Sequence, residues 1–158
     1  MSQHADDVPE TLADAAITVL ETPDAAAKCA LTTDFAARWR YGDIVVVGDG
    51  TPGDRPRRPD SPKLLPPGEM PRRKINRGTA GRIAQLHALA HIELNAINLA
   101  WDIVARFTDR ELPRSFYDDW VRVADEEARH FGLLSARLAY FNASYGDLAA
   151  HDALWDPA

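Results

Sequence analysis

Residues 80–107 and 114–142 carry apolar side chains at helical spacing almost without interruption, and only a short turn at 108–114 separates them. Each stretch is long: about 27 residues of helix span roughly 40 Å. Two rods of that length on so short a link must double back as an antiparallel pair. Pro113 stands near the first position of the second helix, where a missing N–H costs nothing. Asn142 to Gly146 supplies the stop. The chain is therefore expected to be all-α, with this helix pair at its centre.

The rest of the chain divides around the pair. Residues 1–41 read as two shorter helices. One runs over 9–21, with Leu12, Ala15, Ala16, Val19 and Leu20 in helical register. The other opens at Pro23-Asp24, runs through Cys29, Leu31, Phe35 and Trp39, and stops at Gly42. Residues 42–80 form a connection that holds seven of the eleven prolines, with Ile44 to Val47 as one short extended piece. Residues 81–158 hold the helix pair and a C-terminal tail. The connection also carries Arg55, Arg57, Arg58, Arg72, Arg73, Lys74 and Arg77. That basic run is either an RNA or phosphate contact or a solvated loop paired with acidic helix faces. A net charge of -6 argues against general nucleic-acid binding, and DNA is not an expected partner. A single cysteine, Cys29, excludes an internal disulfide and fits a cytoplasmic setting. No apolar run reaches the roughly 18–20 residues of a membrane span.

Two carboxylates disturb the helix pair. On a helical wheel, Leu86, Leu89, Ile97, Ala100, Val104 and Phe107 fall within about 40° of Glu93. His91, Asn95, Asn98 and Asp102 fall on the other side. The wheel therefore predicts that Glu93 is centred on the face that enters the core. The second helix repeats the pattern, with Phe116, Trp120, Val123, Phe131, Leu134, Leu138 and Phe141 gathered around Glu127. His130 stands one turn on, about 60° away. An isolated buried carboxylate costs several kcal/mol unless it is protonated, paired or bound to a metal. Two readings follow. Glu93, Glu127 and His130 are ligands of a metal such as iron or manganese, since carboxylates neutralise hard cations and imidazole adds a nitrogen donor. Alternatively, they form a buried Glu–His pair in a metal-free interaction module. His87 and His91, four residues apart, offer a competing metal site or bond to backbone in the interior. The roles of Tyr145 and His151 stay open, with His151-Asp152 read as a turn tying the tail to the bundle.

The segments GRIAQLHALAHIELNAINLAWDIVARF, FYDDWVRVADEEARHFGLLSARL and YGDLAAHDALWD resemble the DUF455 family of ferritin-like proteins. The resemblance implies a ferritin-like helical bundle with a di-iron or manganese centre and oxidase- or oxygenase-like chemistry. By its motif, Glu93 is the single-glutamate ligand, and Glu127 with His130 form the Glu-x-x-His pair. Family members continue into a second helix pair with a second ligand set, whereas this chain carries only the first. The chain is then a truncated form carrying half the metal site, or a homodimer or a second chain completes the four-helix site. The resemblance leaves the substrate, a small molecule or a modified nucleotide, undefined.

Overall fold

The computed structural model describes residues 8–72 and 78–155. Among them are four α-helices: α1 (Leu12–Glu21), α2 (Ala25–Tyr41), α3 (Thr79–Arg106) and α4 (Arg114–Tyr140). A two-residue strand β1 (Leu64–Leu65) pairs in parallel with β2 (Ala150–His151). Helices α3 and α4 form the antiparallel pair, α1 lies along α3, and α2 lies along α4. No helix is long and apolar enough to cross a membrane among the described residues.

Helix α1 is held at both ends by chain from elsewhere. Thr11 caps it, accepting from the Asp14 amide at 3.1 Å. The next donors, Leu12 N and Ala13 N, reach Val46 O and Val47 O at 2.9 Å. The Ile44–Val47 piece thus satisfies a helix N-terminus instead of forming a strand. Gly48 makes that approach feasible: its φ is 74°, and an added Cβ would stand 2.5 Å from Thr11 Cβ. At the other end, Lys28 Nζ donates to Val19 O at 3.0 Å and Leu20 O at 3.4 Å. Asp24 caps α2, and Gly42, in the left-handed region at φ 87°, stops it.

The face of α3 that enters the core differs from the one the wheel selects. His87, His91, Asn95, Asn98 and Asp102 are buried, along with Leu94, Ile97 and Trp101. Leu89, Ile92 and Leu99 are exposed, and Glu93 is half-buried. The core-facing direction of α3 is thus rotated about 100° from Glu93. The cause is pairing. Asn98 Oδ1 accepts from Lys28 Nζ at 2.7 Å, Asp102 holds Arg106 at 2.7 Å, and Trp101 Nε1 donates to Thr32 Oγ1 at 3.0 Å. Polar side chains that find such partners can be buried against α1 and α2. Helix α4 is turned in the same sense: Tyr117, Val121, Ala124, Ala128, Phe131 and Leu138 are buried, and Glu127 sits at the margin.

Candidate metal centre

The three sequence-predicted ligands come together. Donor atoms of Glu93, Glu127 and His130 all lie within 4.8 Å of one another. His130 Nδ1 stands 3.2 Å from Glu127 Oε2 and 4.0 Å from Glu93 Oε2. Helical spacing aims Glu127 and His130 at one point, and α3 brings Glu93 across from the facing helix. The site opens on the uncovered side of the pair: the Glu93 and Glu127 side chains are 23% exposed, and His130 is 43% exposed. They are at the rim of the core, not at its centre.

Two acids so close cannot both ionise freely. Burial, and then the hydrogen bond and charge of Glu127, push the Glu93 carboxyl up to about 7. The same hydrogen bond holds Glu127 below the ordinary carboxylate range. A cation held among these donors would neutralise both carboxylates. Two carboxylates and an imidazole that converge this closely could hold a metal ion.

His87 and His91 do not join this group, and neither belongs to any metal-competent cluster among the described residues. His91 Nε2 lies 2.9 Å from the carbonyl of His151, and its Nδ1 lies 2.8 Å from Tyr145 Oη. Burial pushes its pKa down to about 4, so the ring is neutral near pH 7. It therefore donates from Nε2 to the carbonyl and accepts from the tyrosine at Nδ1. His87 Nε2 accepts from Gly146 N at 3.0 Å. Tyr145 stacks on His87 and meets Phe131 edge-on, at centroid distances of 5.2 and 5.3 Å. Phe131, expected beside Glu127, thus packs against Tyr145 inside the core. The tail is carried further by the β1–β2 pairing, where Ala150 N reaches Lys63 O at 3.0 Å. These contacts bolt the tail to α3 and fix the rotation that leaves Glu93 on the open side.

The basic run divides. Arg55 lies 3.5 Å from Asp152, and Arg58 is half-buried near Tyr145 and Asp152. Arg73, Lys74 and Arg77 lie outside the described residues.

The profile of a family described as "Protein of unknown function (DUF455)" matches residues 21–158. The chain belongs to the DUF455 family. An uncharacterized protein of Haemophilus influenzae is 43% identical to this DUF455 chain over 105 residues. The match covers 63% of the chain and 36% of that relative, so the chain spans about a third of the relative's length. No solved structure matches it.

Sequence reasoning missed one feature of the DUF455 chain and left a second, the role of Tyr145, open. Lys28 reads as an ordinary surface lysine yet is fully buried, bonded to α1 and Asn98. The only sequence signal is its place in an otherwise apolar stretch. Tyr145 carries no wheel position at all, because it lies beyond α4; only the Y-G-D motif marks it.

Proposed function

We propose that this DUF455 chain is a ferritin-like carboxylate metal protein in which Glu93, Glu127 and His130 hold iron or manganese. The observation that carries the reading is the convergence of three donors within 4.8 Å on one open helix-pair face. A bound redox metal would supply Lewis acidity and one-electron chemistry, as an oxidase- or oxygenase-like centre does. Glu93 and Glu127 would neutralise its charge, and His130 would add the nitrogen donor. Trp120, Val123 and Leu134, half-buried on the same side of α4, give the group an apolar border. The substrate would be a small molecule or a modified nucleotide, and the lone Cys29 supports a cytoplasmic setting.

The test is elemental analysis of protein purified without chelators, then supplied with Fe(II) or Mn(II) under nitrogen. Bound metal is expected in the wild type and absent in Glu93→Gln and Glu127→Gln. A wild type that retains no more metal than these variants refutes the proposal. A second reading has one observation in its favour. The Glu127–His130 hydrogen bond at 3.2 Å, with Glu93 Oε2 4.0 Å from the same imidazole, lets the trio stand as the heart of a metal-free interaction module. On that reading Glu127→Ala weakens the apo protein and metal changes nothing.

A further inference from the structure

On the closed side of the pair, one aromatic ring touches both long helices. Tyr145 belongs to neither; it lies in the tail beyond α4. Its ring stacks on two histidines of α3, with centroids 5.2 Å from His87 and 6.1 Å from His91. It meets Phe131 of α4 edge-on, at 5.3 Å and an interplanar angle of 82°. Its hydroxyl reaches His91 Nδ1 at 2.8 Å. These contacts fall at the level of the metal donors. His91 precedes Glu93 by two residues, about 3 Å along the helix axis, and Phe131 follows His130 by one, about 1.5 Å. The tail is tied to α3 on the C-terminal side of the ring, where Gly146 N donates to His87 Nε2 and the His151 carbonyl accepts from His91 Nε2.

We infer that Tyr145 is a positioning residue for the metal site: its ring, set against His91 and Phe131, fixes the spacing of α3 and α4 at which Glu93 meets Glu127 and His130. The inference rests on the metal reading above. Glu127 and His130 share α4, so their mutual placement is local and indifferent to the tail. Glu93 reaches them only across the helix pair, so its distance depends on whatever spaces the helices. Both protein partners of the ring are buried, and neighbours move part of the way into the space that a buried ring vacates. Metal coordination tolerates errors of only about 0.2 Å in a ligand distance. A shift too small to alter the fold is thus large enough to spoil the ligand set. The Tyr145 hydroxyl has the lesser part, since it fixes the tautomer of His91 and not the helix spacing.

The experiment measures metal affinity of the chelated full chain by equilibrium dialysis with elemental analysis, using Mn(II) and then Fe(II) under nitrogen. Tyr145→Ala, checked as folded by circular dichroism, should bind about 10- to 100-fold more weakly than wild type. Tyr145→Phe keeps the ring and should bind as wild type does. Phe131→Leu fills the core but removes the aromatic edge on the α4 side, and should weaken binding in the same direction. It decides the matter if Tyr145→Ala does not fold. Val19→Ala loosens the core in α1, away from the ring, and should leave affinity unchanged. Wild-type affinity in folded Tyr145→Ala, or in Phe131→Leu, would overturn the inference and leave the metal reading standing. Equal weakening by Val19→Ala would overturn it as well, as an effect of general loosening. A wild type that binds neither metal would bring down the metal reading and this inference with it.

Discussion

The two sides of α3 hold polar groups in apolar company and resolve the conflict in opposite ways. On the closed side, His87, His91, Asn98 and Asp102 each find a partner within the chain, from Gly146, Tyr145, Lys28 and Arg106 respectively. On the open side, Glu93 finds only another acid and an imidazole, at the edge of solvent. These four groups on the closed side are neutral or paired, although the neighbouring Asn95 Oδ1 is buried without a hydrogen-bond partner. The open side has more negative charge than it can neutralise without a proton or a cation. A buried polar group with complete partners specifies a fold, whereas one without them specifies a ligand.

Removing a partner from the closed side should have the largest effect. Lys28→Ala deletes three hydrogen bonds and leaves a cavity beneath α1, and should cost about 3 kcal/mol, read by urea denaturation. A loss below about 1 kcal/mol would mean that water replaces the lysine and that the closed side is less complete than described.

On the open side the effect should depend on metal. Wild type at a metal concentration of about 100 times Kd gains roughly 2.7 kcal/mol, seen as a rise in Tm. Glu127→Gln should remove that gain while shifting apo stability by less than about 1 kcal/mol. An apo protein crippled by the substitution would place Glu127 with the closed-side residues and erase the contrast.

Proton linkage sharpens the comparison further. Lys28 is held down to about 7, chiefly by burial, from an ordinary value of 10.5. Between those values the unfolded chain binds a proton that the folded chain does not, so this group makes stability rise with pH from about 7 to 10.5. Glu93 is raised from 4.5 to about 7, so there the folded chain binds the extra proton. Its contribution to apo stability is full below 4.5 and is lost as pH climbs to about 7, opposed by the lowered pKa of Glu127. Denaturation curves across pH should show both arms. Lys28→Met should flatten only the alkaline arm, and Glu93→Gln only the acidic one. The smallest effect belongs to the surface: Asp125→Ala breaks the exposed pair with Arg40 and should cost less than about 0.5 kcal/mol by the same denaturation assay.

Much of this was legible in the chain. Gly42 marks a helix end that the structure keeps, α1 starts at Leu12 behind its Thr11 cap and not at residue 9, and the short link through Pro113 dictates the antiparallel pair. Glu127 and His130 point together as their i, i+3 spacing predicts, and Glu93 joins them because the antiparallel pairing sets α3 against α4. The rotation of α3 was not legible. A wheel ranks each residue by its own polarity, so it turns Asn98 and Asp102 outward. It cannot see that Asn98 meets a lysine 70 residues earlier in the chain. The β1–β2 pairing escaped for a similar reason. Two residues carry no alternation, and their bonds depend on where the tail is fastened by His91 and Tyr145.

The fastening of α1 has a consequence for how the protein opens. Its first amides are sealed by Val46 and Val47, and its last carbonyls by Lys28. A ten-residue helix is too short to persist alone in water. It exists only while the loop behind it and the lysine after it are both in place. Release of either end exposes the buried polar face of α3 to solvent. Amide exchange in α1 should then follow the slowest, global opening and not local fraying, although the helix lies near the chain terminus. The N-terminal arm is thereby a reporter on the whole molecule: when its protons exchange, the helix pair has already let go.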